Sequence, residues 1–178
     1  MKSTYLDTSI ILARYLRSDP NFHRVEKLLG NTSQPRYISE ASILELYCVF
    51  SRLINSRSLI SLEEKVGFDQ LTTDEKVRVA VEHAIRSWRV KGITPERTSI
   101  RLPASDQMFE VTHEIFEAIR CAPELGLKAL DALHLAYAST IKEVDPDLDT
   151  FTTLDKDISS KKDTIETKTG IRIVVPDG

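Results

Sequence analysis

The sequence predicts an α/β protein: a mostly parallel sheet covered by helices on both faces, with an extra helical insert. Two observations carry this. Short β-type runs alternate with longer helical patterns from one end of the 178 residues to the other, which is the pattern of a parallel sheet with crossover helices. Lone acids also stand in otherwise apolar runs, one of them directly after the first strand, where such sheets place their sites.

The elements follow in order. Lys2 to Leu6 reads as the first strand, and Ser9 to Leu16 and Phe22 to Leu29 as helices. Arg36 to Ile38 is a second short strand, followed by a helix over Glu40 to Ile54. Leu62 to Lys91 reads as an additional helical pair broken near Gly67 to Thr73. Its second half opens at Thr73-Asp74-Glu75-Lys76, an N-cap with acids in the first turn, and Gly92-Ile93-Thr94-Pro95 closes it. Ser99 to Leu102 reads as a strand, Asp106 to Arg120 and Leu127 to Lys142 as helices, and Thr150 to Thr152 and Ile171 to Val175 as the last strands. No repeat, low-complexity tract or interdomain linker interrupts them, so a single domain over 1–178 with an insertion at about 62–95 is expected.

Composition fits a globular chain, with 41% apolar and 29% charged residues. No apolar run has the length of a membrane helix, and the N-terminus lacks a signal-peptide core. Cys48 and Cys121 lie in apolar surroundings and read as core thiols of a reduced, cytoplasmic protein. The net charge of −3 gives no global sign of a nucleic-acid partner. Locally, Arg86, Arg89, Lys91, Arg97 and Arg101 stand against only Glu96, with Trp88 among them. That run reads either as a phosphate-contacting patch with an aromatic platform or, more commonly, as a solvated helix face.

The chemistry lies in the acids. Asp7 closes Thr4-Tyr5-Leu6-Asp7, Glu45 interrupts Ile43-Leu44-Glu45-Leu46, and Asp131 interrupts Leu130-Asp131-Ala132-Leu133. A carboxylate taken out of water needs a cation or a shifted pKa. Three of them point to one shared divalent ion. Asp149 precedes its strand and falls at the wrong sheet edge; Asp155 follows it and is the better fourth acid, ahead of Asp157. Oxygen donors of this kind suit Mg²⁺ or Mn²⁺ and metal-assisted phosphodiester hydrolysis.

Each acid has a plainer reading. Asp7 would cap the following helix, Glu45 would pair with Arg52 or a distant basic group, Asp131 would cap a later-starting helix, and Asp155 would be a turn residue. His134 reads as a hydrogen-bonded core residue more readily than as a ligand. Six glycines form no phosphate loop, and Ser39 and Ser42 lack a visible activating base.

Taken together, these residues resemble the PIN-domain nucleases, and most closely the VapC-like toxin ribonuclease branch. Tyr5-Leu6-Asp7-Thr8-Ser9 is similar to that family's opening strand and acid, and Ser39 to Leu46 to its second motif, in which a serine leads to a metal-binding glutamate. Leu130 to Ala138 is the most specific match. Thr153-Leu154-Asp155-Lys156-Asp157 resembles the closing motif and Gly170 to Pro176 the terminal strand. The resemblance implies a three-layer α/β/α sandwich and a Mg²⁺- or Mn²⁺-dependent endoribonuclease with Asp7, Glu45, Asp131 and Asp155 holding the metal. It gives Ser9 and Thr153 the task of orienting ligands or waters. It further implies an RNA substrate, a homodimer and a small antitoxin partner of a VapBC-type system. The alternatives are a stand-alone RNA-processing nuclease and a PIN-like binding module without catalysis. The stretch from Glu45 to Asp131 is longer than in compact VapC-like toxins.

Overall fold

The computed structural model describes residues 2–16, 18–30, 33–56, 68–93, 98–104 and 107–176. Strand β1 (Ser3–Leu6) is flanked by β2 (Arg36–Ile38) and β6 (Leu148–Thr152). With β3 (Lys91–Gly92) and β7 (Arg172–Val174) they form a five-stranded sheet in the order β3-β2-β1-β6-β7. Every pairing in it is parallel, including Tyr5 opposite Tyr37 and Phe151, and Phe151 opposite Ile173. The chain builds outward from β1 through β2 to β3, then returns to the other side of β1 for β6 and β7. The carboxyl ends of β1 and β6 therefore meet at the point where the winding reverses, which is where open α/β sheets form their sites.

The helices are α1 (Thr8–Tyr15), α2 (Phe22–Leu29), α3 (Glu40–Asn55), α4 (Thr73–Trp88), α5 (His113–Leu125), α6 (Ala129–Val144), α7 (Lys156–Ser159) and α8 (Lys162–Thr169). Because strand side chains alternate in direction, Leu6 joins one core and Tyr5 the other. The Leu6 core holds Ile10, Ile11, Val25, Ile38, Leu46, Phe50, Val77, Val81 and Trp88. The Tyr5 core holds Leu135, Ile141, Leu148, Phe151, Ile158, Ile165 and Ile173. Two cores on opposite faces of one sheet make the expected three-layer sandwich.

The insert holds one described helix. Thr72 caps α4: its hydroxyl accepts from the Glu75 amide at 3.4 Å, while Glu75 accepts from the Thr72 amide at 2.8 Å. The cap is thus one residue earlier than the sequence suggested. Val77, Ala80, Val81, Ala84 and Trp88 recur at helical spacing and bury the face of α4 that joins the Leu6 core. The helix ends at Arg89, which takes a left-handed conformation (φ 50°). Of the expected first helix of the pair, 62–67 lies outside the described residues, and Phe68–Gln70 forms a short 3-10 turn.

Three expectations are corrected here. Lys91–Gly92 is not merely the end of the insert but the edge strand of the main sheet. Ser99–Ala104 (β4) is a strand, yet it pairs antiparallel with Gln107–Thr112 (β5) in a separate hairpin. The helix expected from Asp106 therefore begins only at His113. The Thr112 hydroxyl accepts from the Ile115 amide and sets that start, and Gly126 (φ 55°) ends the helix. Residues 107–112 have a mixed apolar–polar pattern that fits either period, and cross-strand pairing with 99–104 decides it.

Trp88 is no aromatic platform. It is 1% exposed, and the Arg14 and Arg36 guanidinium groups lie over its ring, 4.2 and 5.3 Å from the ring centre. Arg36 is itself buried, and it donates to the terminal carbonyls of α2 (Leu29) and α4 (Trp88), where helix dipoles favour a cation. Arg86 pairs with Glu82 on the outer face of α4, while Arg97 lies outside the described residues. Cys48 is exposed rather than a core thiol, because α3 turns that face outward; Cys121 is half-buried, and both are free. No helix among the described residues is long and apolar enough to cross a membrane.

Candidate metal centre

Asp7 is the first residue after β1. By position it is the N-cap of α1, but its side chain makes no capping bond. Its carboxylate is held instead by two hydroxyls: Ser9 donates to Oδ2 at 2.7 Å and Thr153 donates to the same oxygen at 2.6 Å. Each hydroxyl is in turn fixed by the loop after β6, since Ser9 accepts from the Leu154 amide (3.1 Å) and Thr153 from the Asp155 amide (2.9 Å). The carboxyl ends of β1 and β6 are thereby stitched together around one aspartate. Asp7 is 7% exposed.

Glu45 projects from the first half of α3, a helix started by a reciprocal Ser39–Ser42 capping box. Its Oε2 lies 3.2 Å from Nε2 of His134 on α6. Burial pushes the Glu45 carboxyl up, but its neighbours, the His134 hydrogen bond foremost, outweigh that and hold the group below its ordinary value. One atom each from Asp7, Glu45 and His134 lies within 4.8 Å of the others, close enough to share an ion.

Asp131 sits in the first turn of α6, one helical turn before His134. Its Oδ2 is buried and has no hydrogen-bond partner. Burial, then the negative charges of Asp155 and Asp7, push its pKa up, against the weaker pull of Lys128 and His134. Asp155, after β6, uses Oδ1 to cap α7 by accepting from the Asp157 and Ile158 amides. The turn-residue reading of Asp155 is thus correct for one oxygen. Asp157 turns outward to Lys128 at 3.3 Å.

The acids singled out in the sequence therefore meet at one sheet edge. Asp7 and Glu45 fall in the tight group; Asp131 and Asp155 stand outside its 4.8 Å limit but within reach of one another's charge. Asp149, expected before a strand at Thr150, is the second residue of β6, and at that amino end it pairs with Lys2 and Arg172, away from the acids. His134 is the hydrogen-bonded core residue expected from the sequence, and the structure adds that its partners are Tyr5 and Glu45. Its three-residue spacing from Asp131 sets both side chains on one helix face. The donor set fits a hard divalent cation: hydroxyl-clamped oxygen at Asp7, a lowered carboxyl at Glu45, and an orphaned buried oxygen at Asp131.

Comparison with known proteins gives the class. The PIN domain family matches residues 4–163, nearly the whole chain, and this protein belongs to that family. Among solved structures, the chain is similar to one from the crystal structure of VapBC2 from Rickettsia felis bound to a DNA fragment from their promoter. The two share 12% identity and a TM-score of 0.50, over 98% of each chain. A DNA-bound VapBC from Salmonella typhimurium is similar at 16% identity and a TM-score of 0.49, over 99% of this chain and 100% of the other. No curated protein matches in sequence.

Proposed function

We propose that the chain is a divalent-metal-dependent endoribonuclease, folded as one domain, in which Asp7, Glu45, Asp131 and Asp155 hold the ion. Family membership supports a nuclease. The observation that carries the metal reading is the buried Oδ2 of Asp131, unpartnered and facing the charges of Asp155 and Asp7. A buried oxygen without a partner is costly, and a cation bound beside it would offset that cost.

Mg²⁺ or Mn²⁺ bound at these oxygens supplies a polarised phosphoryl oxygen and a bound water of lowered pKa. The chain's own residues do the rest. Ser9 and Thr153 fix the Asp7 carboxylate, so its other oxygen keeps one direction. Asp155 caps α7 through Oδ1, which leaves Oδ2 as its candidate ligand atom. Lys128, at the start of α6, places positive charge at the rim beside Asp131. No serine, cysteine or histidine nucleophile is required by such a site.

The further reading is that of a toxin in a VapBC-type toxin–antitoxin pair, with RNA as substrate, a homodimeric assembly and a small antitoxin as partner. It rests on the motif resemblance, with the fold shared with the VapBC2 chain as background. Leu44 and Tyr47, one helical turn apart on α3, expose apolar side chains of the kind a protein partner covers.

The test is cleavage of a mixed-sequence single-stranded RNA panel with Mg²⁺ or Mn²⁺, comparing wild type, Asp7→Asn and wild type with EDTA. Cleavage is expected from the metal-loaded wild type alone. Equal cutting by Asp7→Asn would place the activity elsewhere, and a folded, metal-loaded wild type that cuts nothing would favour a binding module.

A further inference from the structure

Behind the acids lies a buried chain of polar groups that a metal site alone does not require. Tyr5 is completely buried, and its hydroxyl lies 2.8 Å from Nδ1 of His134, 2.7 Å from the Ser39 hydroxyl and 3.1 Å from that of Ser42. His134 is 1% exposed, and its other ring nitrogen faces Glu45. The directions of these bonds follow from donor inventory. A carboxylate only accepts, so Nε2 carries the proton and donates to Glu45. In the neutral ring Nδ1 then accepts, and the Tyr5 hydroxyl donates to it. Burial raises the Tyr5 pKa and keeps that hydroxyl protonated. Its oxygen in turn accepts from Ser39 or Ser42, the residues that cap the helix carrying Glu45.

We propose that His134 is a positioning residue: through Nε2–H it holds the Glu45 carboxylate in its metal-binding orientation, with its own ring locked by Tyr5 and the Ser39–Ser42 cap. The inference rests on the reading that Glu45 holds the ion. The competing role, His134 as a ligand, is suggested by its place within 4.8 Å of Asp7 and Glu45. It requires the other tautomer, with Nε2 bare toward the ion and Nδ1–H donating to the Tyr5 hydroxyl, which would then donate onward to Ser39 or Ser42. In the tautomer that donates to Glu45, Nδ1 accepts from Tyr5 and neither nitrogen is left for an ion. Hard cations also favour the neighbouring oxygens. The loop closes structurally: the cap that starts α3 also fixes Tyr5, Tyr5 fixes His134, and His134 fixes the α3 glutamate.

The experiment measures Mn²⁺ affinity by electron paramagnetic resonance for wild type, His134→Gln, His134→Ala and Tyr5→Phe. In parallel, ¹⁵N spectra of the His134 ring are recorded for wild type before and after adding Mg²⁺. Loss of a group that orients a ligand typically weakens metal binding about 10- to 100-fold, and that is expected for His134→Ala. His134→Gln, whose amide can donate from the same place, should recover most of it, and Tyr5→Phe should fall between. The wild-type ring should keep its proton on Nε2 when Mg²⁺ is added. Transfer of that proton to Nδ1 would make His134 a ligand and overturn the proposal. So would a His134→Ala protein that binds Mn²⁺ like wild type, which would reduce the residue to core packing. Should His134→Ala fail to fold, the Gln variant and the wild-type spectra still decide the matter. A wild type that binds no Mn²⁺ would sink the metal reading itself, and the proposal with it.

Discussion

Replacing Asp131 by Asn should make the metal-free protein more stable while making it unable to gain stability from a metal. An orphaned buried polar group costs about 1–3 kcal/mol, and more when charged. Asp131 has such an oxygen, with Asp155 and Asp7 adding repulsion. Its residue is only partly buried, however, so solvent screening cuts the net gain from neutralisation to about 1 kcal/mol. In a chain of this size that is about 2–4 °C in melting temperature. Wild type with an ion at 100 times its Kd gains about 2.7 kcal/mol, or roughly 5–11 °C by the same scaling. The order should therefore invert: Asp131→Asn melts higher in EDTA, wild type melts higher in Mg²⁺ or Mn²⁺.

The pH dependence has a definite sign. The Asp131 carboxyl is raised in the folded state. As pH climbs from the ordinary aspartate range near ~4, the unfolded chain gives up its proton first and stability falls until the folded carboxyl has also ionised. The advantage of Asp131→Asn should be absent below that window and complete above it. Differential scanning fluorimetry across pH, with and without metal, reads both effects. An Asn variant that melts at or below wild type in EDTA at neutral pH would refute the reasoning.

Three further outcomes are expected. Glu45→Gln should lose metal-induced stabilisation without stabilising the metal-free protein. The Glu45 carboxyl is lowered, chiefly by His134, so its contribution is present above the ordinary glutamate range and fades as pH falls through the lowered value; urea unfolding at neutral and acid pH distinguishes it from Asp131→Asn. Thr153→Val removes both the bond to Asp7 and the acceptor for the Asp155 amide. It should cost about 1–3 kcal/mol in denaturant unfolding and weaken Mn²⁺ binding, seen by titration calorimetry. Trp88→Ala should cost about 3–5 kcal/mol, since the ring fills the Leu6 core and its faces support Arg14 and Arg36; an effect below ~1 kcal/mol in guanidinium unfolding would contradict that placement.

The sheet and its site were legible in the sequence for a physical reason. In a parallel sheet the position of an acid before or after a strand decides which edge it occupies, so Asp7 and Asp155 could be separated from Asp149 by order alone. Glu45 and Asp131 stood out because unpaired acids are rare in apolar helical runs. The rest depended on tertiary contacts. The hairpin of Ser99–Ala104 and Gln107–Thr112 arises from pairing between segments whose own periodicity is ambiguous. Trp88 looked like a surface aromatic because its neighbours in sequence are basic, yet it is buried in the Leu6 core with two arginines from other elements over its ring. His134 gained its place from Tyr5 and Glu45, which lie 129 and 89 residues away in sequence.

The most direct measurement is anomalous diffraction from crystals soaked in Mn²⁺. The expected result is a peak at the carboxyl edge of β1 and β6, within bonding distance of oxygens from Asp7 and Asp131, with Glu45 still accepting from His134. Full Mn²⁺ loading with no peak among Asp7, Glu45, Asp131 and Asp155 would contradict the claim that these acids form a metal centre.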